Sequence, residues 1–126
     1  MLLSEYVATL HELVTTTAFV TGTTFSYEER PPSAGLIKGG LTFADGSQLD
    51  FKEFLVTQPT LSVVKYGYQY RRGGQLVFRY DNANDLAARN LPTFPHHKHD
   101  PSGTLQSTQP SLARVLQEIV SQLRLP

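Results

Sequence analysis

The sequence predicts an α+β fold in two layers, with an antiparallel sheet of about five strands packed against an N-terminal and a C-terminal helix. Three observations point there. Apolar residues recur at helical spacing at both ends of the chain, they alternate at period two through its middle, and glycine-bearing turns divide that alternating stretch into hairpins.

Leu3, Val7, Leu10 and Val14, with Tyr6 and Leu13 beside them, predict a helix over residues 4–14 that starts on Ser4 as its cap. The period then changes. Residues 15–21 and 23–29 are rich in β-branched and aromatic side chains, which favours strand, with a bulge at Gly22 and a turn at Arg30-Pro31-Pro32-Ser33. A hairpin follows. Leu41-Thr42-Phe43 and Gln48-Leu49-Asp50-Phe51 flank Ala44-Asp45-Gly46, and a three-residue loop with Gly46 in the left-handed region pairs Leu41 with Leu49 and Gly39 with Phe51. Leu41, Phe43, Leu49 and Phe51 then share one face, and Glu53 continues it. In the second hairpin Tyr66, Tyr68 and Tyr70 alternate before an Arg72-Gly73-Gly74 turn, and Leu76, Phe78 and Tyr80 alternate after it. Lys65, Gln69, Val77, Arg79 and Asp81 take the opposite face. Residues 83–110 hold four prolines, three histidines and few apolar residues, and read as one long loop. From Ser111, Leu112, Val115, Leu116, Ile119, Val120 and Leu123 form a helical stripe, with Pro110 at its start.

The chain of 126 residues is expected to form a single domain, residues 1–126, with one core. Eleven basic and eleven acidic side chains cancel, so no global field draws it to nucleic acid, although Arg71, Arg72 and the histidine run leave room for a local basic patch. A chain without net charge has little colloidal protection, which favours association, with a partner or as a homodimer. The absence of cysteine excludes disulfides, thiolate catalysis and cysteine-bound zinc. The N-terminus has no secretory pattern and no apolar run approaches a membrane span, so a cytoplasmic location is expected. Neither GxxxxGK[ST], GxGxxG nor GxSxG occurs, which weighs against an NTPase, a dinucleotide-binding enzyme or an α/β-hydrolase.

Candidate chemistry concentrates in His96-His97-Lys98-His99, which holds three of the four histidines. Imidazole titrates nearest neutrality, so such a run can transfer protons, bind a metal or contact phosphate. In an extended segment His97 and His99 point to one side and His96 to the other. A metal site would draw on distant ligands such as Asp81, Glu53 or Asp100. No metal or cofactor is expected, because no second ligand pair at helical spacing appears. The competing structural reading is a solvated loop. Arg79 and Asp81 can meet the histidine run, or form an exposed ion pair worth well under about 1 kcal/mol. Glu53 is a carboxylate on an apolar face, suited to acid–base work if buried and ordinary if it reaches solvent. The tyrosines can stack bases, but at period two they suit a core face under the helices.

Taken in order, Gly40-Leu41-Thr42-Phe43-Ala44-Asp45-Gly46-Ser47, Leu49, Glu53, Tyr66-Gly67-Tyr68-Gln69-Tyr70, Phe78-Arg79-Tyr80-Asp81-Asn82 and Phe94-Pro95-His96-His97-Lys98-His99 resemble the TumE-type toxins of prokaryotic toxin–antitoxin systems, from about residue 35 to the C-terminal helix. The resemblance implies a small α+β toxin and a helix-turn-helix antitoxin as partner. Joined to the histidine run, it leads to the expectation of a metal-independent RNA-cleaving nuclease. His97 and His99 would share proton transfer, and Glu53 or Asp81 would orient a histidine. Lys98 and Arg79 would hold phosphate, with His96 and Tyr70 as further substrate contacts. The alternatives are a non-enzymatic binding module whose histidine loop contacts a protein or nucleic acid, and a metal-dependent enzyme.

Overall fold

A computed structural model describes residues 2–125. Helix α1 (Leu3–Thr16) leads into β1 (Val20–Arg30), β2 (Ala34–Phe43), β3 (Gln48–Val56), β4 (Ser62–Arg72) and β5 (Gln75–Asp81). A short 3-10 turn at Leu86–Ala88 precedes β6 (His97–Asp100), β7 (Gly103–Gln106) and α2 (Leu112–Ser121). Among the described residues the strands form one antiparallel sheet of seven, in chain order from β1 to β7. The α+β class and both helices agree with the sequence; the strand number does not. β6 and β7 carry four residues each, His-Lys-His-Asp and Gly-Thr-Leu-Gln. Neither alternates apolar with polar, so hydrophobic periodicity cannot reveal them. Backbone pairing holds them instead, with Arg79 opposite His99 and Asp81 opposite His97. The expected loop over 83–110 therefore contains two short strands that extend the sheet, with the 3-10 turn before them.

The first hairpin has the expected register, Leu41 opposite Leu49 and Gly39 opposite Phe51, and Gly46 has φ +84°. The register also slips at Gly22, as a bulge there requires. The second hairpin differs. Its turn is the two residues Gly73-Gly74, both with positive φ as a type I′ turn demands, and Arg72 pairs with Gln75. A bulge after Tyr70 then sets Tyr70 opposite Phe78. The move by two residues keeps Phe78 and Tyr80 on the expected face, but the unpaired Val77 packs against the core and Leu76 is exposed, the reverse of the expected faces for these two. At the N-terminus, Ser4 lies inside α1 rather than capping it, and Leu2 takes the cap position. Ser111, not Pro110, caps α2, its hydroxyl accepting from the Arg114 N–H at 3.2 Å.

Both helices pack on the same side of the sheet. Leu10 and Val14 of α1, and Leu112, Val115, Leu116 and Ile119 of α2, join one buried cluster with Phe43, Tyr66, Tyr68, Tyr70 and Phe78. Polar ties cross the layers: Tyr80 Oη donates to Glu118 Oε1 at 2.6 Å, and Arg72 reaches the Gln122 carbonyl at 3.2 Å. Among the described residues neither α-helix lies over the other sheet face. There the segment between β5 and β6 folds back, Asp85 caps the 3-10 turn by accepting from the Ala87 N–H at 2.9 Å, and Ala88 is fully buried. Among the described residues no helix is long and apolar enough to cross a membrane.

Candidate functional site

The strand alternation sorts the histidine run by face. His97 and His99 lie on the helix-free side, directly opposite Asp81 and Arg79 of β5. Their rings meet edge to face with centroids 4.7 Å apart. His97 is fully buried. Its Nδ1 lies 2.7 Å from the Pro95 carbonyl, which can only accept, so Nδ1 carries a proton and Nε2 faces the cluster. Nε2 lies 3.0 Å from Asp81 Oδ1 without an aligned hydrogen bond, and 3.8 Å from Asp85 Oδ2. His99 Nε2 lies 3.4 Å from Asp85 Oδ2 and 3.9 Å from Asp81 Oδ2, again with no hydrogen-bond partner. Its Nδ1 sits 3.3 Å from Thr104 Oγ1 on β7.

The carboxylates are fixed from behind. Asp81 accepts from Arg79 Nε at 2.8 Å and from the Ala83 N–H at 3.0 Å. Burial lowers the His99 pKa, helped by the nearby Arg79 guanidinium and the His97 ring, and Asp81 and Asp85 only partly oppose this. His99 thus favours its neutral form, which keeps a lone pair free for a proton or a metal. The His99 side chain is 18% exposed, Asp85 32% and Arg79 40%, so the cluster opens to solvent on their side.

The other sequence-predicted residues lie elsewhere. Lys98 points to the helix side, where Nζ donates to Glu118 Oε2 at 2.8 Å and stands 4.9 Å from the Tyr80 ring centroid. It cannot share a phosphate with His97 and His99 across the sheet. His96 also faces the helix side, stacked on Tyr66 with Nδ1 2.8 Å from the tyrosine hydroxyl. Tyr70 is fully buried and donates to Ser47 Oγ at 2.8 Å, so no substrate reaches it. Glu53 is buried beneath α1. It accepts from Tyr68 Oη at 2.5 Å and from Tyr6 Oη through a short hydrogen bond. Burial pushes its carboxyl above the ordinary value, and the two tyrosine hydroxyls pull it part of the way back. Of the two carboxylates expected to orient a histidine, Asp81 lies beside His97 and Glu53 does not, because strand parity turns Glu53 into the core. Asp85 is the residue that sequence reasoning missed. Its signal was an aspartate directly before Leu86-Ala87-Ala88, the pattern of a helix cap, inside a stretch read as irregular.

The fold and cluster define a small α+β protein with a histidine–carboxylate group on the uncovered face of its sheet. The family model described as Toxin TumE matches residues 9–124, and the chain belongs to this toxin family. Its role is therefore that of a toxin, which implies a cognate antitoxin. No curated protein and no solved structure matches the chain.

Proposed function

We propose that this toxin acts as a ribonuclease at the cluster formed by Arg79, Asp81, His97 and His99. One observation carries the reading: two imidazoles, a carboxylate and a guanidinium converge from adjacent strands on one cluster that opens to solvent along Arg79 and the edge of His99. Phosphodiester cleavage asks for a base or activated water, a proton donor and a cation against the phosphate. Arg79 and the partly exposed His99 face the RNA. His97 and Asp81 stand behind them as positioning groups. A metal-free pair of acid and base, as expected from the sequence, needs two imidazoles that reach substrate, and full burial of His97 leaves one. Glu53, Tyr70, His96 and Lys98 support the fold in this reading. The partner is a helix-turn-helix antitoxin, and the chain acts as a single domain; a homodimer would be compatible with the uncovered β1 and β7 edges.

Expression of the chain alone should arrest growth, and His99→Ala should relieve the arrest while leaving the circular dichroism spectrum intact. Purified protein should cleave RNA, with loss on Arg79→Ala and on His99→Ala. Cleavage in excess chelator would assign the chemistry to imidazole alone. Normal growth with abundant folded protein would favour a binding module that works by contact.

A further inference from the structure

We propose that His97, His99 and Asp81, with Asp85 as a fourth ligand, form a binding site for one divalent transition metal of the zinc class. The inference rests on the geometry of the cluster and stands or falls apart from the ribonuclease reading.

Each histidine offers Nε2, and neither Nε2 has a hydrogen-bond partner although both are buried. Buried polar atoms are paired in the great majority of cases, so two such atoms side by side call for a shared partner. For His97 the geometry fixes which atom is offered. Its Nδ1 donates to the Pro95 carbonyl, so Nε2 is the atom turned toward Asp81 and Asp85, 3.0 and 3.8 Å away with no aligned hydrogen bond. A divalent cation between them would be held by the imidazole nitrogen and the carboxylates together.

The distances suit such an ion. Ligand atoms about 2.0–2.1 Å from a tetrahedral zinc stand roughly 3.3 Å from one another. The four histidine–carboxylate separations are 3.0, 3.4, 3.8 and 3.9 Å, the two from Asp81 through different oxygens, so both carboxylates would rotate to present one oxygen each to the ion. Across Asp81, His97 and His99 the ligand atoms all lie within 4.8 Å of one another. Outer contacts are also those of a metal site. A metal-bound histidine usually donates its second N–H to a carbonyl or carboxylate, as His97 does to Pro95, and ligating carboxylates are themselves hydrogen-bonded, as Asp81 is to Arg79 and Ala83. Asp85 is steadied by capping the 3-10 turn. Two imidazoles with carboxylates select zinc, nickel, cobalt or ferrous iron over magnesium or calcium, which prefer all-oxygen sites.

The test uses the full chain without a histidine tag. Zinc is titrated into the metal-stripped protein by calorimetry, and cobalt is followed by its visible absorption. One equivalent of zinc should bind, magnesium should not compete, and cobalt should give the intense bands of a four-coordinate site. Even outer-shell changes typically cost about 10–100-fold in affinity. Loss of a ligand in His99→Ala or Asp81→Asn should therefore weaken binding at least about 100-fold. These two positions are used because His97 is fully buried and its replacement can unfold the chain; circular dichroism confirms that the variants are folded. His11→Ala, on the exposed side of α1, should bind as the wild type does. No zinc binding by the folded wild type, or binding that survives both ligand substitutions, overturns the proposal. Zinc binding without RNA cleavage would leave the site standing and remove the ribonuclease.

Discussion

Removing one hydroxyl, in Tyr68→Phe, tests how the buried Glu53 is held. Tyr68 is 1% exposed and Glu53 1%, and the ring remains, so the change opens no cavity of note. It removes the 2.5 Å hydrogen bond to Glu53 Oε2 and leaves the carboxylate with Tyr6 alone. A hydrogen bond to a charged group is worth about 1.5–3 kcal/mol, against about 0.5–1.5 kcal/mol between neutral groups. Glu53 has a raised pKa in the folded state, chiefly from burial. A carboxyl raised on folding leaves the protein most stable below its ordinary value of 4.5, and stability falls as pH rises through the folded value. Tyr68→Phe takes away a stabiliser of the ionised form and pushes the folded value higher. Its cost should therefore be about 1.5–3 kcal/mol at pH 8 and about 0.5–1.5 kcal/mol at about pH 4. Urea unfolding followed by circular dichroism at the two pH values reads both numbers. In a Glu53→Gln background, with no charge to titrate, the two costs should become equal. A Tyr68→Phe cost that is the same at both pH values in the wild-type background would refute the account of Glu53 as a desolvated carboxylate held by tyrosines.

Ile119→Ala should cost about 2–5 kcal/mol in the same assay, since Ile119 is fully buried between α2 and the sheet. A loss under about half a kcal/mol would mean the helix packs elsewhere. Gly39→Ala should cost about 1–3 kcal/mol, because its Cβ would fall 2.5 Å from Phe51 Cε1 and 2.9 Å from the Thr24 carbonyl oxygen; wild-type stability would contradict that register. Burial alone would raise the Asp45 pKa, but the Ser47 hydroxyl, the Arg124 and Ser47 N–H groups and the Arg72 guanidinium bring it down to about 2. Its contribution is present above the ordinary carboxyl value of 3.8 and is lost as pH falls through about 2, so Asp45→Asn should lower stability by about 1–2 kcal/mol at pH 7 and converge with wild type near pH 2 in acid unfolding. Lys98→Met should leave growth arrest intact in a plating assay, because its ammonium lies on the helix side of the sheet with Glu118.

The hairpin around Gly46 was legible because its alternation, its turn residue and its buried face agree. Leu41, Phe43, Leu49 and Phe51 leave one register that buries all four. The tyrosine strand was legible in face but not in turn, since a two-residue turn followed by a bulge shifts pairing by two and leaves Phe78 and Tyr80 on the same face. β6 could not be found from hydrophobicity, because its side chains serve one face with imidazoles and the other with a lysine. The pairing of Asp81 with His97 and of Arg79 with His99 rests on backbone hydrogen bonds, which carry no residue signature. Parity nevertheless separated His97 and His99 from His96. Applied to the whole run it would also have moved Lys98 to the helix side, and it places Glu53 in the core once β3 and β4 are in register.

The two faces of the sheet hold their buried polar groups differently. On the helix side Glu53 is held by Tyr6 and Tyr68, Lys98 by Glu118, and Arg72 by Tyr70 and Asp45, although the buried Arg72 Nε has no partner of its own. On the uncovered side two imidazole nitrogens are left without one. Two such nitrogens side by side are hard to account for by packing, because a fully buried histidine could be replaced by an apolar residue of similar size with no penalty for the unpaired atom. They are accounted for if the unpaired nitrogens are the working atoms. The short β6 then has a clear purpose. It extends the sheet by one strand where two alternate histidines come to stand over Asp81 and Arg79, and the ladder to β5 holds them there more rigidly than a loop would.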